Sequence, residues 1–364
     1  SAAGLRATGL SDALTIDIGG TSADAGLVLA GEPLVEPGGS VAGVPIALPR
    51  VLVETVSAGG GSIAWIDDGG ALRVGPRSAG AVPGPVAFAR GGTLPTVTDA
   101  PLALGRLDAA RLSGGVTLDA PAAKRAIAEL ARKLGATPQR TAEAIIAIAD
   151  AAMARALRRV SVERGIDPRS CALVAFGGGG PLHACALADL LGMRAILVPP
   201  HAGVLSALGL AIAPERRDAA ASVMRGADTI DQGWFGARLD ALAARARNAS
   251  AQRLAWHARV RYAGQGHELD VACAPGDDGN AVAARFSVAH AARYGFTLER
   301  PVEIVALRVA ATGDPVDVSF KSSGGRAKSV AGPHVETLAD ATMVVAPGWT
   351  ARGLDMGGWM VERA

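Results

Sequence analysis

One junction constrains the fold of this chain more than any other feature. Residues Cys171-Ala-Leu-Val-Ala-Phe176 form an apolar run that passes directly into Gly177-Gly-Gly-Gly180, with Pro181 next. A short continuous apolar run bounded by glycine reads as a buried strand. Proline suits the first turn of a helix, where its missing N–H would have no partner in any case. The segment therefore predicts strand, glycine loop and helix, with the helix ending at Gly192. Another strand follows at Arg194–Val198, then a short helix at Gly203–Ile212. Alternation of this kind specifies an α/β fold.

The rest of the chain agrees. Asp119 and Pro121 open a helix that Gly135 closes, and a second helix runs from about Thr141 to Glu163. Its apolar positions Ile145, Ile148, Ala152, Ala156 and Val160 recur every three or four residues, and Gly165 ends it. Near the start, Leu14–Asp17 and Ala25–Leu29 are short apolar runs on either side of Gly19-Gly20-Thr21, with no helical period after the glycines. That reads as a hairpin. Residues 31–116 are rich in Gly and Pro, with strand-like pieces at Ile63–Ile66 and Leu72–Val74. After Pro214 the composition shifts: helical patterning at Trp234–Arg247 gives way to strands in Arg259–Cys273 and Val302–Ala311. The expected division is residues 1–220 and 221–364, the second domain smaller, mixed and strand-rich.

At 364 residues with 49% apolar and 19% charged side chains, the chain is globular rather than disordered. A net charge of +2 gives no reason to expect a nucleic acid, and Arg155, Arg158 and Arg159 read as a solvated helix face. Cys171, Cys185 and Cys273 form no CxxC pair, which fits a reducing cytoplasm. The most apolar stretch, Ala195–Ala213, is broken by Pro199, Pro200, Gly203 and Gly209, so no membrane span is expected. No signal peptide is expected, and a start at Ser1 rather than Met suggests a fragment or a processed product.

Three segments carry chemistry. In Asp17-Ile-Gly19-Gly20-Thr21-Ser22-Ala-Asp24, glycines let backbone N–H groups approach phosphate oxygens, Thr21 and Ser22 add hydroxyl donors, and Asp17 and Asp24 are candidate Mg²⁺ ligands. It is not a Walker A loop, because no Gly-Lys-Ser/Thr follows. The plainer alternative is a hairpin whose aspartates cap turns. In Phe176-Gly177-Gly178-Gly179-Gly180-Pro-Leu-His183, a glycine run at a helix N-terminus suits a nucleotide, with close strand–helix packing as the alternative. His183 reads either as a packing residue or as a polar group at a ligand. The third segment comprises Ala58–Trp65, Val74–Pro85 and Gly91–Ala100, a shaped loop surface with Arg77, Ser78, Thr98 and Asp99 as its polar groups.

Together these segments resemble the hydantoinase A/5-oxoprolinase family. Glu163–Arg169, Pro199–Gly209, Arg261–Gln265, Tyr294–Phe296 and Pro301–Ile304 extend the resemblance over nearly the whole chain. It implies an actin-like ATPase fold of the ribonuclease H-like class. Asp17–Asp24 would be the second phosphate loop and Phe176–Pro181 the adenosine-side loop. The family's first phosphate loop belongs to an N-terminal half not found here. The chain departs from the family pattern at Val51–Thr55, where an Asp and a His or Asn are usual, at Val82 (usually Asp) and at Pro101 (usually Asn).

The resemblance further implies ATP and Mg²⁺ as cofactors, a small cyclic amide as substrate, a hydantoinase B-type subunit as partner, and an oligomer. The expected reaction is ATP-dependent ring opening through phosphorylation of the amide oxygen. Asp17, Asp24, His183 and Asp99 are the catalytic candidates, with Asp17 and Asp24 at the metal. Gly19, Gly20, Thr21, Ser22 and Gly177–Gly180 would hold the nucleotide. The alternatives are an acetone or acetophenone carboxylase-type subunit and a non-catalytic nucleotide-binding scaffold.

Overall fold

A computed structural model describes residues 8–36, 39–41, 44–46, 50–110, 116–247, 251–314 and 328–364. Ser1, on which the expectation of a processed start rests, lies outside them. The backbone separates into two compact units, Ser1–Leu210 with Ser319–Ala364, and Ala211–Val318.

The first unit is built on a nine-stranded mixed sheet. Its centre is the predicted hairpin, β1 (Ala13–Ile18) and β2 (Ala23–Leu29), paired antiparallel so that Asp17 lies opposite Asp24. β3 (Val53–Val56) lies on the other side of β2, with Asp24 opposite Thr55. A separate hairpin follows, β4 (Ser62–Ile66) with β5 (Leu72–Ser78). The short helix α1 (Asp99–Ala103) precedes two longer ones.

Helix α2 (Ala120–Leu134) starts where its sequence says: Asp119 accepts the Ala122 N–H at 2.8 Å, and Gly135 closes it in the left-handed region. Helix α3 (Pro138–Val160) is capped by Thr137 and is followed by a 3₁₀ turn that ends at Gly165. Its buried stripe runs through Ile145, Ala149, Asp150, Met153, Ala156, Leu157 and Val160. The expected stripe was turned slightly: Ile148 and Ala152 are only partly buried. That rotation matters because the true stripe contains an aspartate.

β6 (Ala172–Phe176) lies parallel to β1, α4 (Gly180–Leu191) follows the glycine run, and β7 (Ala195–Val198) lies parallel to β6. Apolar positions from β1, α3, β6 and α4 share one core that includes Leu14, Ile16, Ile145, Leu173 and Leu187. Helix α5 (Leu205–Ile212) completes this part of the chain.

The second unit is a four-stranded antiparallel sheet, β8 (Arg216–Gly226), β11 (Val302–Gly313), β9 (Ala251–Tyr262) and β10 (Leu269–Cys273) in spatial order. Helices α6 (Gln232–Ala246) and α7 (Gly279–Tyr294) pack against it around Phe235, Tyr262, Phe286 and Leu307.

The chain then returns to the first sheet. β12 (Ser329–Ala331), β15 (Trp349–Gly353) and β16 (Trp359–Arg363) extend it, with β16 antiparallel to β7. Between them β13 (His334–Thr337) and β14 (Thr342–Val345) form a hairpin. These final strands were grouped by sequence with residues 221–318; their hydrogen bonds instead join them to the sheet of β1 and β6. Among the described residues, no helix is long and apolar enough to cross a membrane.

Candidate active site

Two glycine loops leave the same sheet side by side, because β1 and β6 are adjacent and parallel and both end where their glycines begin. Gly177 takes φ +78°. A Cβ there would lie 2.6 Å from the Ile18 carbonyl oxygen and 2.7 Å from the Ile18 nitrogen. Only glycine meets both demands. A third glycine run closes in from the far side: a Cβ on Gly59 would sit 2.7 Å from Ser22 N, and one on Gly61 2.8 Å from Gly20 O. At Gly59 and Gly61 the lack of a side chain thus serves close packing of the two loops.

The hydrogen bonds between these loops have a direction. Gly60 N–H donates to Gly19 O at 3.0 Å, Gly61 N–H to Gly20 O at 2.5 Å, and Gly179 N–H to Ile18 O at 3.0 Å. The hairpin loop thus has its carbonyls taken up by protein donors. Among the described residues the N–H groups of Gly20, Thr21, Ser22 and Gly178 meet no protein acceptor. Backbone N–H groups left without protein acceptors on a fixed glycine loop are of the kind that can cradle an anion.

Asp17 and Asp24 face each other in register across the hairpin, so both carboxylates emerge on one face of the sheet. Both are partly buried. The Ser206 hydroxyl donates to Asp17, and Thr55 Oγ1 donates to Asp24 Oδ1 at 2.5 Å. No cluster of three or more His, Cys, Asp or Glu suited to a metal occurs among the described residues. Mg²⁺ does not require one, since it commonly takes one or two carboxylates with waters and phosphate oxygens. The opposed pair fits that ion.

Beside the loops lies a cavity of about 220 Å³, lined among others by Gly19, Gly20, Gly178, Gly179 and His183. Its walls are largely apolar, from Ile18, Phe88, Val97, Leu107 and Leu182. Thr98, Asp340 and Thr342 add polar groups. Five of the residues expected to bind a ligand therefore meet at one cavity. Thr21, Ser22, Asp17 and Asp24 sit on the adjoining loop and strands without lining it, as do Gly177 and Gly180.

Asp99 requires a correction. It does not line the cavity and is wholly buried. Its oxygens accept from Ala87 N at 2.8 Å, Val86 N at 3.3 Å, Thr96 N at 2.8 Å and Thr96 Oγ1 at 2.8 Å. Burial pushes this carboxyl above its ordinary range although those donors pull the other way. Its position is that of a pin holding residues 85–99 together, with no lone pair directed to a ligand.

The sequence reading missed other members. Asp150 lies 2.6 Å from His183 Nδ1, and both are buried. An acid within the apolar period of α3 was the available signal. Ser206, Thr55, Asp340 and Thr342 had no such signal, because each is ordinary in its own segment and gains its place only through the sheet.

A family model described as hydantoinase/oxoprolinase matches residues 1–219. An uncharacterized protein of Methanocaldococcus jannaschii is 37% identical over 95% of this chain and 58% of its own length. The caprolactamase subunit alpha of Pseudomonas jessenii is 44% identical over 58% of this chain and 30% of its own. The crystal structure of the ATP-dependent caprolactamase from that organism superposes with a TM-score of 0.78 at 30% identity, covering 100% of this chain and 60% of the solved one. The chain thus spans less than two thirds of the length of each of these relatives. With the family model covering more than half its residues, the chain belongs to the hydantoinase/oxoprolinase family.

Proposed function

We propose that this chain forms the nucleotide-binding part of an ATP-dependent enzyme that opens a cyclic amide, on a fold of the actin-like ATPase type. One observation carries the reading: a glycine loop with backbone N–H groups that meet no protein acceptor among the described residues lies beside two opposed carboxylates and an apolar cavity. Likeness to a caprolactamase supports the choice of a cyclic amide.

An unstrained amide resists water because resonance stabilises its carbonyl. Transfer of a phosphoryl group from ATP to the amide oxygen would expose that carbon to attack. Such transfer is catalysed mainly by positioning and by neutralising charge. Gly20, Thr21, Ser22 and Gly178 would hold phosphate oxygens on their N–H groups, with Gly19 N–H holding the loop closed on Ser22 O. Asp17 and Asp24 would hold Mg²⁺, whose charge would offset that of the phosphates. Gly177 shapes the loop, and His183, on the cavity wall, would meet a planar ring bound there. Since the caprolactamase relative is named as a subunit, a second subunit of the hydantoinase B type is the proposed partner.

The test is ADP release by the assembled enzyme, this chain as part of its full-length protein together with the proposed partner subunit, with Mg²⁺ and, in turn, a lactam, 5-oxoproline, a hydantoin, and a ketone with bicarbonate. Release that depends on one of the cyclic amides is expected, and it should fall by about 10²-fold or more in Asp17→Ala. Release that depends only on ketone and bicarbonate would replace this reading by a carboxylase.

A further inference from the structure

Asp150 is out of place by every local rule. It occupies the inward stripe of α3 between Ala149 and Met153, and only 5% of its side chain is exposed. Burying a carboxylate there forfeits its water, and an apolar residue would fill the position without that cost. Its one hydrogen-bond partner among the described residues is His183 Nδ1 on α4, 2.6 Å away.

A carboxylate only accepts, so His183 Nδ1 carries the hydrogen, and in the neutral ring Nε2 keeps its lone pair. His183 lines the cavity, and no second group bonds to its ring among the described residues. Only 3% of the His183 side chain is exposed, and the residue belongs to the cavity wall. The Thr98 hydroxyl, nearby on the cavity wall, is already spent as a donor to Gly60 O at 2.9 Å. The cavity therefore offers a ring nitrogen lone pair set among apolar walls, and α3 has an aspartate that keeps it so.

We propose that Asp150 is a positioning residue that fixes His183 with Nε2 as an acceptor toward the cavity, and that the cavity thereby selects planar ligands presenting an N–H edge. This rests on the reading of the cavity as a site for nucleotide and cyclic amide. Two ligands carry that chemistry: the N–H of a cyclic amide and the exocyclic amino group of adenine.

The experiment titrates the purified protein with two pairs of probes. One pair is a lactam and its N-methyl derivative. The other is ADP and the diphosphate of purine riboside, which lacks the amino group. In one pair the N–H ligand should bind about ten-fold more tightly, and that pair identifies the source. Asp150→Asn should erase the preference with little change in affinity for the N–H-free analogue, because the amide can donate to Nδ1 and drive the proton to Nε2. His183→Asn, which keeps a group toward Asp150 but removes Nε2, should erase it as well. Nitrogen-15 NMR of the wild-type imidazole should show Nε2 unprotonated at neutral pH, a readout independent of how either variant folds. Nε2 protonated in the wild type overturns the proposal. Binding of both pairs without an N–H preference overturns it while leaving the nucleotide-and-amide reading intact. Binding of none of the four probes overturns both.

Discussion

The two units treat polar groups in opposite ways. In the first, Ser62, Thr96, Asp99, Thr141, Asp150, His183 and Thr342 are buried. In the second, His290 is the one buried polar residue among those described, and its Nδ1 is satisfied by the Phe296 carbonyl at 2.8 Å. The charges of the second unit lie in partly exposed pairs on its strands, such as Arg261–Glu303 and Arg308–Asp270. Burying a polar group costs free energy unless its bonds are made. The first unit accepts that cost repeatedly, where loops hold a fixed shape beside the cavity of about 220 Å³; the second packs a sheet under two helices and accepts it at His290, which lines a cavity of about 160 Å³.

Glycine offers the sharpest way to break this comparison. Gly177 and Gly264 have similar dihedrals, φ +78° and +84°. Around Gly264 a Cβ would meet nothing within 4 Å, whereas at Gly177 it would strike the backbone of Ile18. Gly264→Ala should cost about 1 kcal/mol, the left-handed penalty alone. Gly177→Ala adds the clash to that penalty and should cost roughly 3–5 kcal/mol, with loss of nucleotide binding. Urea unfolding of both variants provides the measurement. Equal losses would mean that the loop at Gly177 yields, and that the contrast between the units is not one of rigidity.

A smaller effect is expected at the pin. Asp99→Asn keeps the volume but sets an amide donor among four donors. A loss of about 2–3 kcal/mol is expected from hydrogen bonds to a buried charged group. If unfolding shows less than about 1 kcal/mol, the loop of residues 85–99 is held by packing instead.

The elements were legible where local chemistry decides them. Asp119, Gly135, Gly165 and Gly192 mark helix ends because caps satisfy or release backbone groups within one turn, whereas the Thr137 cap was passed over and its helix begins at Pro138 rather than near Thr141. The two glycine loops were legible for the same reason. Helix α7 was missed, since its buried face is a single line through Val282, Phe286 and His290. One residue per turn, with a histidine among them, gives little amphipathic signal. β8 was missed because it is an edge strand that opens with Arg216, Arg217 and Asp218. The return of β12, β15 and β16 to the first sheet has no local signature at all: a strand's pattern shows which side is buried, not which edge it joins. The site suffered in the same way. Gly19 and Gly178 could be read singly, but Asp340 reaches the cavity only through that return, and Ser206 reaches Asp17 only because β1, β6 and β7 are neighbours in the sheet.

The smallest expected effect tests the comparison by sign rather than size. Asp99 in the first unit and Asp277 in the second share an ordinary pKa near 3.8, and their surroundings move them in opposite directions. Burial raises Asp99, while the Arg285 guanidinium, bonded at 2.7 Å, lowers Asp277. A raised acid binds its proton more tightly when folded, so its contribution is complete below about pH 3.8 and is lost as pH climbs through the raised value. A lowered acid stabilises the fold above about pH 3.8, and that contribution is lost as pH falls through the lowered value. The Arg285–Asp277 pair is half open to solvent on its arginine side, which caps it at about 1 kcal/mol. Stability relative to Asp99→Asn should therefore decline as pH is raised from 3.5 to 7. Stability relative to Asp277→Asn should decline as pH is lowered over the same range, by the smaller amount. Urea unfolding at three pH values suffices. Slopes of the same sign would show that burial does not govern Asp99, and the contrast drawn between the two units would lose its electrostatic half.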